Sequence, residues 1–516
     1  MPLTVLWLKK DLRLLDHAAL VAAVEYARDQ AQALVILYVY EEDLIHQPDF
    51  SRRHLCFIND CLQELSGEVE KRGGLLTLRR AGHARDVLNV IHRMNRMDRL
   101  FSHEETGNGA SYRRDREVAA WCRESGVDWR EIPQHGVVRR LACRDGWSGQ
   151  WLARMRKPLL PEPDSIPPPP PGMESAGIQS PESFGLTSDG EMELQPGGSR
   201  AALDLLQSFL SERGRNYTRE MSSPVTGFDA CSRLSPYFTH GALSIRTAYR
   251  MASERQADVR GAMKEADKQN REDLKGWSVS LRSFLGRLRW HCHFMQKLED
   301  EPELEFSSLL RSCDALRADS WNEAAFEAWA EGRTGYPMVD ACMRSLRATG
   351  WMNFRMRAML MSFASYHLWL PWRPTGLLLA RLFTDYEPGI HWSQVQMQSG
   401  TTGINSIRVY SPAKQVKDQD PDGEFIRRWV PELRGVPANY LPCPESMPVL
   451  EQEMAGCRIG DAYPEPVVDH ATAYREAQRK IRSVRRGSEA QAEARRIYRK
   501  HGSRRHLSER RRTRLS

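Results

Sequence analysis

The 516-residue chain contains no run of 18 apolar residues, which excludes a membrane-spanning helix of ordinary length. Its ten cysteines include no CxxC pair, so no closely spaced ligand set for zinc or an iron–sulfur cluster is present, and no metal site is assigned. There is no GxxxxGK(S/T) phosphate loop, and no GxGxxG turn follows the first strand-like run, so the usual local nucleotide signatures are missing. Lys9 and Lys10 follow the apolar stretch Met1–Leu8 rather than precede it, the reverse of a secretory leader. Scattered cysteines without a leader read as reduced core thiols, and the expected location is the cytoplasm.

What is present is unevenly distributed. The formal charge is +7, yet residues 471–516 alone hold 16 Lys/Arg against 4 Asp/Glu, so the rest of the chain is slightly acidic. A basic tail attracts polyanions, nucleic acid first; equally it reads as a solvated, partly helical extension. Leu3–Leu8 and Ala33–Tyr40 are apolar, β-branched runs that fit buried strands, with a helical pattern over His17–Gln32 between them. Leu75–Leu78, Arg99–Ser102 and Trp129–Ile132 fit further strands. Ser51–Arg72, His83–Arg96 and Tyr112–Ser125 fit the helices around them. This alternation predicts a doubly wound parallel α/β domain over residues 1–135.

Residues 136–200 read as an interdomain linker. Its Leu159–Gly198 stretch is rich in Pro, Ser, Gly and Glu and includes five consecutive prolines, Pro167–Pro171, through which no regular element can run. Helical patterns then dominate (Ala201–Arg213, Trp277–Leu298, Met338–Thr349, Arg355–Leu370), predicting a larger all-α domain over 201–455. Residues 456–516 form the basic tail.

Three clusters could carry chemistry. Cys231–Ser235 (CSRLS) precedes Pro236 and a helix-like run, and its hydroxyls, its free N–H groups and Arg233 suit a phosphate; an ordinary helix cap uses the same residues. Arg355 and Arg357 are cations in an apolar helix and need an anion, for which Asp385 is the obvious candidate, whether in a structural ion pair or in a site. Gly332–Arg347 reads as a turn leading into a helix that starts near Pro337.

Four segments occur in one order: Trp7–His17 (WLKKDLRLLDH), Cys231–Ser235, Glu331–Trp351 (EGRTGYPMVDACMRSLRATGW) and Asp420–Leu433 (DPDGEFIRRWVPEL). Together they resemble the photolyase/cryptochrome family over roughly residues 1–440, with the tail outside the resemblance. It implies a U-shaped FAD in the helical domain, held by Tyr217 and by Cys231, Ser232, Arg233, Leu234 and Ser235 on its pyrophosphate and ribitol side. Arg357 and Asp385 would lie beside the isoalloxazine, His391 would face flavin N5 as a donor of a hydrogen bond or proton, and Trp290 would stand in the lesion pocket.

The resemblance fails at chemically important places. Arg287 stands where dimer-repairing members have Glu, Phe354 where they have Asn, and Ala358 where they have Met. Val395 and Met397 replace aromatic residues, the first of them the flavin-proximal tryptophan of the electron-transfer triad. Trp372 matches the middle position, Trp321 is a candidate for the outer one, and Trp392 offers another route; each could equally be core packing. Arg287 could stabilise charge on a substrate, contact a DNA phosphate or close the pocket on a carboxylate. Glu104 or Glu105, in the loop His103–Asn108, could hold an antenna of folate (pterin) or deazaflavin type, or belong to a plain surface loop. The expectation is a monomeric blue-light flavoprotein without membrane contact. It would repair UV lesions in DNA by electron transfer from excited reduced FAD or, as a cryptochrome-type photoreceptor, signal to a partner through the tail.

Overall fold

A computed structural model describes residues 2–187, 190 and 192–502. The N-terminal strands β1 (Leu3–Leu8), β2 (Ala33–Glu41), β3 (Leu76–Ala81), β4 (Met97–His103) and β5 (Asp128–Ile132) form one sheet in the order β3-β2-β1-β4-β5. All four pairings are parallel. Side chains alternate across a strand, and both faces are covered. Leu6 and Leu8 of β1 join the cluster that contains Leu20 of α1 (Ala18–Asp29) and Leu55 and Leu62 of α2 (Arg52–Glu70). Leu3, Val5 and Trp7 point the other way, into a second cluster with Leu88 of α3 (Ala84–Met94) and Val118 and Trp121 of α4 (Gly109–Ser125). The inner strands β1 and β2 are nearly continuously apolar because both of their faces are covered, whereas the edge strands β3 and β5 carry charged residues such as Arg79, Arg80, Asp128 and Glu131.

Among its described residues the Pro-rich stretch is mostly irregular, with one 3-10 turn at Pro181–Phe184. It nevertheless lies flat on the α/β unit: Ile166 donates to Arg72 O (2.7 Å) and Ala176 to Leu78 O (2.9 Å). Residues 136–200 also hold a helix, α5 (Trp147–Arg156), whose Trp147, Trp151 and Met155 are buried; an aromatic and a Met at spacings of four gave this helix one apolar side.

The second unit is helical. Its longest element, α6 (Lys268–Asp300), packs on Ile245–Glu265 and on α9 (Pro388–Ser399). The sequence pattern over Arg355–Leu370 predicts one helix. Instead, α7 (Phe354–Ser362) widens into a π-helical turn at Phe363–His367, and α8 (Trp372–Leu382) follows. The widened turn meets the tail: His367 Nε2 lies 2.8 Å from His470 Nδ1.

The tail corrects the expectation of a solvated extension. Helix α10 (His470–Arg486) buries Ala477 and Ile481 beside Tyr366, and Arg485 donates to Asn405 O and Gly400 O, both at 2.8 Å. Helix α11 (Ser488–His501) buries Ile497 with Leu298, Leu304 and Leu310. Apart from Arg485, most of the tail's basic residues lie on the outer side of a docked amphipathic pair, a pattern that net charge alone hides. The final residues, from 503 onward, lie outside those described.

The two units meet along a dense seam. Buried Arg53 on α2 donates to the carbonyls of Leu346 (3.2 Å), Leu382 (2.9 Å) and Arg347 (3.2 Å), and His54 Nε2 donates to Phe383 O (2.8 Å). The segment Trp7–His17 is part of this seam. Arg13 donates to Gly241 O (2.9 Å), and a Cβ at Gly241, where φ is 69°, would lie 2.1 Å from Lys10 O. Only glycine allows that approach.

Candidate functional site

The helical unit encloses a cavity of about 910 Å³, within the range of a site for a large ligand. Its lining includes Tyr217, Cys231, Ser232, Arg233, Ser235, Arg287, Trp290, Arg357, Asp385, His391 and Val395. Residues scattered over 180 positions of sequence are thus brought to one space. Leu234 is the exception; its side chain is buried in the core cluster shared by the two units.

Helix α7 begins at a capped turn: Asn353 accepts from Met356 N (3.2 Å) and donates to Met221 O (3.2 Å) and Ser223 O (2.9 Å). This sets Arg357 one turn in, where it forms a bidentate pair with Asp385 at 2.8 and 2.7 Å. The guanidinium also covers the Phe383 ring at 4.0 Å. The fork geometry fixes the carboxylate plane and gives the pair direction as well as strength. Main-chain bonds pin the Asp385 segment: Thr239 Oγ1 donates to Asp385 O (3.3 Å), and His240 Nε2 to Thr384 O (3.1 Å).

The Cys231–Ser235 loop turns sharply at Arg233, whose φ of 55° is left-handed, a conformation costing about 1 kcal/mol or more for a non-glycine residue. Gln195, from the Pro-rich stretch, holds it there, accepting from Arg233 Nε (3.0 Å) and donating to Arg233 O (3.1 Å). The guanidinium stacks over Phe228 at 3.7 Å, and burial lowers its pKa to about 10. Tyr217 stays a neutral phenol, pushed by burial to about 12.

His391 donates from Nε2 to Gly376 O (2.8 Å). Burial pulls its pKa down to about 4, so the ring is neutral and Nδ1 is an acceptor. The donor role that the resemblance implies for His391 would draw on this one proton, which is committed to a carbonyl. Trp290 stands at the cavity mouth, 49% exposed, edge-on to His293 at 5.0 Å. Exposed Arg287 lies over the Phe354 ring at 5.7 Å and bonds the Tyr217 phenol. Trp392 is fully buried, edge-on to Trp372 at 5.8 Å and to His391 at 5.0 Å. Trp321 does not join them. Its ring neighbour is Phe326 (4.8 Å) and its indole donates to Glu323 (2.7 Å), so it makes no direct ring contact with the Trp372–Trp392 pair.

Whether the cavity suits FAD can be tested on its unmet polar groups. Arg355 Nε, Glu387 Oε1, Gln394 Oε1, Gln415 Oε1 and His291 Nδ1 are buried without a hydrogen-bond partner, and all five residues line this cavity. Such groups are costly unless a polar ligand meets them. The volume and this mixture of donors and acceptors fit a large polar cofactor. The sequence did not mark Gln195, which holds Arg233, or Gln394 and Gln415, which line the cavity, because amides have no motif and reach their places only through the fold.

The antenna candidates lie elsewhere. A separate cavity of about 140 Å³ runs along the seam, lined by Lys9, Glu41, Asp49, Glu105, Arg114 and Tyr386 among others. Arg114 fills it electrostatically, donating to Glu41 (2.6 Å), Glu105 and Asp115 (2.9 Å), and Lys9 closes on Asp115 at 3.2 Å. A site for a pterin or deazaflavin needs about 300 Å³ or more.

Asp11, His17 and His103 sit close enough to hold a metal ion. Their second nitrogens argue against it: His17 Nδ1 accepts from Leu20 N (2.9 Å) and His103 Nε2 from Ala19 N (3.4 Å). The nitrogens facing Asp11 must then carry the protons, whereas ligating histidines donate from the remote nitrogen. The motif around Gly332–Arg347 is also structural: Asp340 accepts from Thr334 N (2.8 Å), Gly335 N (3.1 Å) and Tyr463 Oη (2.6 Å).

The fold and this cavity define a protein that joins an α/β unit to a helical unit with room for a large polar cofactor, and comparison with known proteins gives the family. A model described as DNA photolyase matches residues 4–145, and one described as the FAD binding domain of DNA photolyase matches residues 284–483. The chain belongs to the photolyase/cryptochrome family, and the resemblance extends beyond residue 440 into α10. It is 29% identical to cryptochrome-2 of Arabidopsis thaliana over 91% of this chain and 77% of that protein. It is 26% identical to a deoxyribodipyrimidine photo-lyase of Halobacterium salinarum over 90% and 96%. The fold matches a class III photolyase of Agrobacterium tumefaciens (TM-score 0.78, 24% identity, 94% and 98% covered). It also matches a cryptochrome of Synechocystis (TM-score 0.79, 21% identity, 93% and 99% covered). Among the described residues no helix is long and apolar enough to cross a membrane.

Proposed function

We propose that this chain is a photolyase-like flavoprotein that repairs a UV-induced pyrimidine lesion in DNA under blue light. One observation carries the reading: a single cavity joins the Arg357–Asp385 pair, deep in the helical unit, to an exposed aromatic, Trp290, at its mouth. Bound FAD would supply a light-driven one-electron donor. Asp385 and Arg357 would orient its ring system, Tyr217 with Cys231, Ser232, Arg233 and Ser235 would hold its phosphate side, and Leu234 would pack the loop from behind. His391 Nδ1 would accept a ring N–H. Trp290 would stack against a base flipped out of the helix, and Arg287 would offer a positive charge to a phosphate or to a base carrying extra electron density. Trp392 and Trp372 would conduct electrons in place of the aromatic missing at Val395. Cytoplasmic location, a monomeric state and a role for the last basic residues in holding DNA complete the proposal.

The test is direct. Purified protein, chemically reduced and illuminated, should remove pyrimidine dimers or (6-4) products from single- or double-stranded DNA. Normal flavin absorbance with no lesion loss on either substrate would overturn the repair reading. Val395 and the likeness to cryptochrome-2 support a second reading, light signalling through flavin redox change, for which a light-dependent change in α10 protection against hydrogen exchange is expected.

A further inference from the structure

A hydrogen-bonded chain leaves the electron-transfer pair in a direction that no tryptophan motif describes. Trp392 Nε1 donates to Tyr386 Oη (3.1 Å), and Tyr386 Oη donates to Asp49 Oδ2 (2.6 Å). The same oxygen accepts from Asn108 Nδ2 (2.9 Å). Trp392 and Tyr386 belong to the helical unit, Asp49 and Asn108 to the α/β unit. Tyr386 follows Asp385 directly and lines both cavities, so its ring is the wall between them. It lies edge-on to His391 at 5.1 Å.

The two exits from Trp392 differ in kind. Trp372, 5.8 Å away, leads toward a shallow surface pocket with Phe306 and Arg373, where a soluble reductant can reach. Tyr386 leads inward, to a buried base. Losing an electron turns a phenol into a strong acid, so a phenol gives up its electron readily only when a base takes the proton at once. Asp49 stands at hydrogen-bond distance in the required position. In the resting state, burial first and the Asp49 charge second keep the Tyr386 phenol protonated.

We propose that Tyr386 is a redox-active residue of this protein, with Asp49 as its proton acceptor. Trp392 would give up one electron to photo-excited flavin, where flavin is bound. Tyr386 then returns one electron to Trp392, its O–H bond breaks, and the proton passes to Asp49 Oδ2. The products are intact Trp392, a neutral tyrosyl radical and a carboxylic acid. A thiol reductant supplies one electron to reset Tyr386, and Asp49 gives the proton back. The inference rests on the flavin reading above, since flavin is the oxidant. It adds a proton-coupled station that links the flavin cavity to the domain seam.

The test uses the full flavin-loaded chain, grown with ring-deuterated tyrosine, flashed with blue light and frozen for electron paramagnetic resonance. A tyrosyl signal narrowed by the deuterium is expected, lost in Tyr386→Phe and in Asp49→Asn, where a tryptophan radical takes its place. A radical that ignores tyrosine deuteration, or a tyrosyl signal that persists in Tyr386→Phe, overturns the proposal. A dark readout is independent of light: fluorotyrosine placed at position 386 should titrate at lower pH in Asp49→Asn than in the parent, and an unmoved titration also overturns it. Protein purified without flavin would sink both this and the flavin reading, whereas bound flavin with a tryptophan radical alone sinks only this one.

Discussion

The two cavities differ in how their polar groups are satisfied. The 140 Å³ space at the seam has no unpartnered buried side-chain atom in its lining among the described residues; Arg114 and its carboxylates leave nothing for a ligand to do. The 910 Å³ space keeps five such residues waiting. A seam is built for stability, so the buried charges around this space are paired or hydrogen-bonded. A site keeps groups unmet, at a cost in stability, until its ligand arrives.

Breaking the larger cavity should have the largest effect. Asp385→Ala leaves Arg357 unpaired beside the ligand space, and the purified protein is expected to lose its flavin, read from the visible absorbance relative to protein. The seam responds differently. Arg114→Met strands two buried carboxylates and should cost about 3–5 kcal/mol in denaturant unfolding, with flavin content per folded molecule unchanged. A normal flavin yield from Asp385→Ala, or a stable Arg114→Met, would erase the contrast. The same comparison predicts one chromophore per chain, with no folate or deazaflavin released on acid denaturation.

Acid should open the seam. Burial holds His54 at about 4 and His240 at about 3, against an ordinary value of 6.5. As pH falls from about 6.5 to about 4, the unfolded chain binds protons that the folded seam refuses, so folding stability declines through that window and recovers as pH rises. A midpoint of thermal unfolding that does not change across that range would contradict this. The smallest effect is at the rim: Trp290→Ala should change stability by only about 0.5 kcal/mol while weakening binding to lesion-containing DNA in a mobility-shift titration.

The α/β unit was legible because its inner strands β1 and β2 are short apolar runs buried on both faces, and helical patterns alternate with the strand-like segments along the chain. The Arg357–Asp385 pair was legible because cations in an apolar helix require an anion. The docked tail was not legible, since its buried Ala477, Ile481 and Ile497 are few among many arginines. Tyr386 and Asp49 lie 337 positions apart, and nothing in either neighbourhood announces the other.

The sequence by itself determined the family, the parallel sheet and part of the large cavity's lining, Arg357, Asp385 and Cys231–Arg233 among it, because those depend on periodicity and on short motifs with local physical meaning. Tertiary structure alone decided the tautomer of His391, the closure of the seam cavity by Arg114 and the path from Trp392 through Tyr386 to Asp49. Each of these depends on which distant group completes a hydrogen bond, and that partner is chosen when the two units pack.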